Sequence, residues 1–224
     1  MKILIVSDLH VHNDERVDKV RQLRTVVYDE KPDIVILNGD VHDPWVASWD
    51  DIGQTESYQL LDDLTKWPHV RTIYIDRNHD YKAPAWVLPS AQRCGQFQSG
   101  VWLFMHGYEF SLDWGLLGIS LPLFWLSMRC PRLMIPLNRL AISTHSHPNG
   151  RAGTFREDWT PWVDTGHMRA RMYAQKHNVN LCIGHFHCPS AFDGLICDDG
   201  DFEDSFTYVI IPNDNEPVAE LRTL

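Results

Sequence analysis

Cysteine is scarce in this chain. The five residues, Cys94, Cys130, Cys182, Cys188 and Cys197, are odd in number, and no two share a CxxC spacing. That argues against a disulfide framework or a structural zinc site, and reduced thiols are expected. Long apolar runs are also missing. The nearest approach, residues 112–128, is close to the lower limit for a membrane span but is interrupted by Asp113 and Pro122. The apolar run that follows Lys2 is too short for a signal-peptide core, so a cytoplasmic location is expected. There is no internal repeat and no low-complexity tract. Positive charge is in deficit: 20 Lys and Arg stand against 30 Asp and Glu, a formal net charge of −10. Binding along extended nucleic acid is disfavoured by that balance.

Charged residues make up 22% of the chain and apolar residues 44%, both near globular averages. The 224 residues suit one domain, 1–224, with a lid-like insertion at about 111–165. Residues 111–180 hold eight bases and four acids, a local balance of +4 that leaves −14 for the rest. A basic insertion on an acidic body is suited to receiving an anion.

Hydrophobic periodicity gives the order of elements. Residues 2–6 form a buried strand, and residues 15–28 a helix capped by Asn13 or Asp14 and ended at Lys31-Pro32-Asp33. Residues 34–37 form a second strand, so the first crossover favours a parallel pair. A helix over 55–67 carries Tyr58, Leu61 and Leu64 inward and stops at Pro68. Strands follow at 70–75 and 101–105, the latter extended by residues 108–110. The spacing then predicts a helix over 168–177 with Met168, Met172 and Ala174 near one face, and strands at 180–183 and 206–211. The short strands of the last third point to a second sheet.

Five of these apolar runs end in metal-binding residue types: Asp8-Leu9-His10, Gly39-Asp40-Val41-His42-Asp43, Asn78-His79-Asp80, His106-Gly107 and Gly184-His185-Phe186-His187. In an open α/β sheet the carboxyl ends of the strands line the ligand crevice, so distant residues can meet there. Asp8 and His10 are two apart and at strand spacing face one side, as do His185 and His187. Asp40 has two oxygens and can bridge two cations. Asn78 offers a neutral amide oxygen, and His106 completes the supply. Asp, Asn and His together suit divalent cations of intermediate hardness. A single histidine among twelve is most often a surface or capping residue; His12, His69, His145, His147, His167 and His177 are read that way.

The ordered blocks resemble the calcineurin-like metallophosphoesterases, whose pattern is DxH, GDxxD, GNH(D/E), a lone His and GHxH. The resemblance implies an α/β fold, a four-layer αββα sandwich of two mixed sheets flanked by helices, with an insertion between the fourth and fifth blocks. It implies two divalent metal ions, Mn first, with Fe, Zn, Co and Ni also permitted by the ligand types. One would be held by Asp8, His10, Asp40 and His187, and the second by Asp40, Asn78, His106 and His185. His79 would be catalytic, with Asp80 orienting its imidazole, and Asp43 would orient a ligand from behind. The implied reaction is hydrolysis of a phosphate ester by a hydroxide bridging the two metals, with a histidine protonating the leaving oxygen. Arg77 stands where the family has Gly. Two readings follow: a strained loop costing about 1–3 kcal/mol, or an Arg that reaches the substrate phosphate. Arg77 and His42 are the candidates for substrate contact, with a loop role favoured for His42.

Three further readings rest on the insertion or on the fold alone. An apolar start followed by arginines is similar, in position and composition, to the lid of UDP-diacylglucosamine pyrophosphohydrolases, which makes a lipid-linked pyrophosphate one alternative. Residues 116–126 offer a weak membrane or lipid contact. A non-catalytic, metal-bound interaction scaffold on the same fold is the remaining alternative. Oligomeric state is not encoded legibly.

Overall fold

The computed structural model describes residues 1–76, 78–80, 83–110, 160–200, 202 and 205–224; for Asn78 and residues 160–162 the description is of the backbone alone. Among the described residues ten strands form two sheets. The first has the order β10 (Glu220–Thr223), β9 (Thr207–Ile211), β1 (Ile3–Val6), β2 (Ile34–Leu37), β3 (Arg71–Ile75) and β4 (Gln92–Cys94). The second has the order β5 (Phe97–Ser99), β6 (Trp102–Phe104), β7 (Asn180–Ile183) and β8 (Ile196–Asp198). β1 to β4 are parallel, as are β6 to β8; β9, β10 and β5 join antiparallel. Both sheets are therefore mixed.

Strand alternation assigns the layers. In β1 and β2 every residue is buried, as expected of strands covered on both faces. Ile3, Ile5, Ile34, Ile36, Ile73 and Ile75 face Trp102, Phe104, Cys182 and Cys197 of the second sheet. The alternate residues Leu4, Val6, Val35, Leu37 and Tyr74 face helices α1 (Val17–Glu30) and α3 (Glu56–Thr65). On the far side, Leu103, Leu181, Ile183 and Ile196 pack against Val163, Ala170 and Ala174 of the long helix α4 (Thr160–His177). The result is helix, sheet, sheet, helix, the architecture expected. Each buried Ile or Leu contributes about 1.5–3 kcal/mol.

Local signals set the helix ends. The Asn13 side chain accepts a hydrogen bond from Glu15 N–H at 3.0 Å, starting a 3-10 turn, Asp14–Arg16, that leads into α1. Lys31 ends α1 in a left-handed conformation, φ 48°, just before Pro32. Thr55 caps α3 by accepting from Tyr58 N–H at 3.1 Å.

Several expectations need correction. Tyr108–Phe110 is a 3-10 turn, not an extension of β6, because Phe110 N–H closes back on Gly107 O at 2.9 Å. The helix expected from residue 168 begins at Thr160. Met168 and Met172 are 52% and 62% exposed, and the buried stripe is Val163, Ala170 and Ala174. The short strands β4, β5, β8 and β10 and the single-turn helix α2 (Trp49–Gly53) are additions. No helix among the described residues is long and apolar enough to cross a membrane. Residues 111–159, including the apolar stretch 116–126 and most of the expected lid, lie outside the described residues.

Candidate metal centre

All five blocks fall where a strand ends, three on the first sheet (β1, β2, β3) and two on the second (β6, β7). Because both sheets run parallel there, their carboxyl ends open at the same edge. The loops that follow are bonded to one another. Asp8 N–H donates to Gly39 O (3.1 Å), His10 N–H to Asp40 O (3.0 Å) and Val11 N–H to Val41 O (2.9 Å). Within the second sheet Gly184 N–H donates to His106 O at 2.8 Å, and across the sheets His185 N–H donates to Asp8 Oδ2 at 3.0 Å.

The side chains converge by a route that strand alternation did not anticipate. Asp8, His10, Asp40, His185 and His187 all have left-handed backbones, with φ between 46° and 71°. Such values are uncommon outside glycine, although Asp and His are enriched among the exceptions. The paired residues share a side because two left-handed residues flank one ordinary one, not because they continue a strand. Gly39, φ +90°, is required for packing as well. A Cβ there would stand 2.5 Å from both Cγ and Nδ1 of His106.

Three three-residue groups result among the described residues, each with ligand atoms within 4.8 Å of one another: Asp8, His10 and His187; Asp40, His106 and His185; and His10, Asp43 and His79, the last holding the imidazole expected to be catalytic rather than a ligand. Asp8 Oδ1 lies 3.3 Å from His187 Nε2 and 3.8 Å from His10 Nε2. Asp40 Oδ2 lies 3.2 Å from His106 Nε2. His106 Nδ1–H donates to Asn38 O at 2.8 Å, which fixes the tautomer and leaves Nε2 facing the group. Asp8 Oδ1, His10 Nε2 and His106 Nε2 are buried and make no hydrogen bond with a described residue. Buried polar atoms are seldom left so. Three of them turned toward these clusters, on deprotonable N and O donors, fit a pair of divalent cations. The Asn78 side chain and Arg77 lie outside the described residues, so their expected roles carry no geometry here.

The sequence matches the calcineurin-like phosphoesterase family over residues 1–189. The chain belongs to the calcineurin-like phosphoesterases. Among solved structures, TT1561 of Thermus thermophilus is similar in fold, with a TM-score of 0.52 at 12% identity over 99% of this chain and 98% of that one. Yfce, a phosphoesterase from E. coli, aligns over 100% and 99% of the two chains at 12% identity and a TM-score of 0.47. A dimetal phosphatase from Danio rerio aligns over 100% and 98% at 10% identity and 0.43. At 12% identity the likeness to TT1561 is one of fold alone. No curated protein matches the sequence.

Within this phosphoesterase, the surroundings of His79 depart from expectation. Its Nδ1 lies 3.0 Å from Asp43 Oδ1, so Asp43, not Asp80, orients the imidazole. Asp80 instead accepts from Val41 N–H (2.7 Å), His42 N–H (3.0 Å) and His42 Nδ1 (3.1 Å), bracing the loop after β2. The reason is steric placement: Asn78–Asp80 is a 3-10 turn, and Asp80 points into the core while His79 stays at its rim. His42 is likewise corrected. It is fully buried among Trp49, Tyr58 and Tyr74 and does not reach the site mouth.

Electrostatics follow from this crowding. Burial opposes ionisation of Asp8, but His187 and His106 outweigh it and lower its pKa. For Asp40 the same contest is won by His106 and His79. His10 is pushed down to about 4 by burial and by His79, and His185 to about 3 by burial and by His106. Both are thus neutral imidazoles with a lone pair available at neutral pH. His79 goes the other way. Burial disfavours its charge, yet Asp40 and Asp43 raise it to about 9, and it lowers Asp43 to about 2 in return.

Three neighbours of the site were missed by sequence reasoning. Trp45 stacks on His79, centroids 4.4 Å apart and planes 7° apart. Ser7 and Asp199 stand behind Asp8. Asp199 had a findable signal, since it follows the apolar run Leu195-Ile196-Cys197 just as the five blocks follow theirs. Trp45 had none beyond lying close to Asp43.

Proposed function

We propose that the protein is a dinuclear-metal-dependent phosphoesterase that hydrolyses a phosphate ester, with Mn the first candidate among the metals its ligand types accept. The observation that supports this best is the convergence of four strand ends on two adjoining clusters of Asp and His, with the block after the fifth, β3, bringing His79 beside them. Asp8, His10 and His187 would hold one cation and Asp40, His106 and His185 the other, with Asp40 shared and Asn78 completing the second. When bound, two such cations supply Lewis-acid charge for the phosphoryl oxygens and a water acidic enough to attack at neutral pH.

The chain supplies the rest. His79 is charged at neutral pH and lies at the rim of the cluster, Nε2 4.0 Å from Asp40 Oδ2. With Nδ1–H held by Asp43, Nε2–H is the proton offered to the departing oxygen. His79 N–H donates to Asp40 Oδ1 at 2.9 Å, which fixes the acid relative to the ligand carboxylate. Trp45, stacked on the ring, closes one face of the imidazole against solvent.

A panel of phosphomonoesters, phosphodiesters and pyrophosphates, run with Mn²⁺ and with chelator, tests this reading. Hydrolysis should require metal. His79→Ala should abolish it while metal content is kept. Turnover that survives verified metal removal would overturn it.

A further inference from the structure

Behind the metal cluster, β8 ends in two consecutive, fully buried carboxyl groups, Asp198 and Asp199, to which the reaction above gives no role. Asp198 is well partnered. It lies 2.9 Å from His167 Nε2 of α4 and accepts from Gly200 N–H at 2.8 Å. Asp199 is not. Its Oδ1 is 2.8 Å from Ser7 Oγ, its Oδ2 makes no hydrogen bond, and it forms no ion pair with a described residue. An ionised carboxylate buried in that setting is strongly disfavoured.

Proton accounting at Ser7 points the same way. Ser7 Oγ contacts three oxygens: Asp8 Oδ2, Asp199 Oδ1 and Gly200 O, the last at 3.1 Å. The hydroxyl has one proton. Gly200 O can only accept, and Asp8 Oδ2 is already an acceptor, taking His185 N–H at 3.0 Å. The Asp199 contact is attractive together with the Asp8 contact if Asp199 brings its own proton. Burial, then the nearby Asp198 and Asp8 carboxyls, push Asp199 well above the ordinary carboxyl range, over the opposing pull of Ser7 and His106. The space is also kept clear. A Cβ on Gly184 would overlap Ser7 Oγ and stand 2.9 Å from Asp199 Oδ1.

We propose that Asp199 is a positioning residue held as the neutral acid: it donates to Ser7, Ser7 donates to Asp8 Oδ2, and the chain leaves Asp8 Oδ1 turned toward His10 and His187. His185 N–H is the second donor to Oδ2. With that oxygen doubly held, Oδ1 is the atom offered to a cation. The positioning role rests on the metal reading above; the protonation of Asp199 does not.

Two readouts separate them. Infrared difference spectra of wild type against Asp199→Asn at neutral pH should show loss of the carbonyl band of an un-ionised carboxylic acid. By calorimetry, Asp199→Asn, whose amide N–H replaces the acid O–H, should bind Mn²⁺ within about twofold of wild type. Ser7→Ala and Asp199→Leu should bind about 10- to 100-fold more weakly, with circular dichroism confirming the fold of each. Loss of a carboxylate band instead, or an Asp199→Asn defect as large as that of Asp199→Leu, would overturn the proposal. No Mn²⁺ uptake by wild type would remove the metal reading and the positioning role together, whatever the infrared shows of Asp199.

Discussion

One methyl group at residue 39 tests how closely β2 and β6 must meet. Gly39→Ala would place Cβ against the His106 ring and force Ala to φ +90°. The strain should cost about 1–3 kcal/mol and displace His106 from Asn38 O, so denaturant unfolding should show lower stability and metal titration weaker uptake. The two acids near His79 should separate cleanly. Asp43→Ala removes the acceptor for His79 Nδ1 and should lower kcat in the same direction as His79→Ala, itself expected to lose about 10²- to 10⁴-fold. Asp80→Ala leaves Val41 N–H and His42 N–H without their buried acceptor and should cost about 1–3 kcal/mol of stability. Steady-state kinetics beside unfolding curves would distinguish the two. Residue identity was legible in the sequence because each ligand type directly follows an apolar run. Partner choice was not. Sequence adjacency favoured Asp80 for His79, whereas a 3-10 turn sends Asp80 inward and brings in Asp43, 36 positions earlier.

At the scale of elements, β1, β2, β3, α1 and α3 were readable because each carries a long apolar signal and a definite stop, such as Pro32 or Pro68. β4, β5 and β8 are three residues each and lack the five-residue apolar run, 101–105, that made the equally short β6 readable. α4 was half-read for a different reason. Its buried face is lined by small residues, Ala170 and Ala174, while its methionines point outward, so apolarity alone chose the wrong stripe. That distinction is measurable. Met172→Gln should change stability by less than about 0.5 kcal/mol. Phe104→Ala, which empties a fully buried ring position between the sheets, should cost about 3–5 kcal/mol. Comparable losses in the two variants would contradict the assignment of faces.

For the whole molecule, the binding of metal and of protons must be linked. In the metal-free protein burial disfavours charge on His106, but Asp40 beside its Nε2 raises it to about 10, so the ring is protonated at neutral pH. A cation that takes Nε2 must displace that proton. Uptake at pH 7 therefore releases a proton, and apparent affinity should rise with pH by about tenfold per unit for each proton displaced, falling as the solution is acidified. Calorimetry in buffers of different ionisation enthalpy would count the protons, and a pH-independent affinity would contradict the arrangement. The central claim, that residues from both sheets hold a pair of ions with Asp40 between them, is tested most directly by elemental analysis of Mn²⁺-loaded, desalted protein. The account predicts two ions per chain in wild type and in His79→Ala, and loss of both in Asp40→Ala. One ion or none in wild type, or two retained by Asp40→Ala, would contradict it.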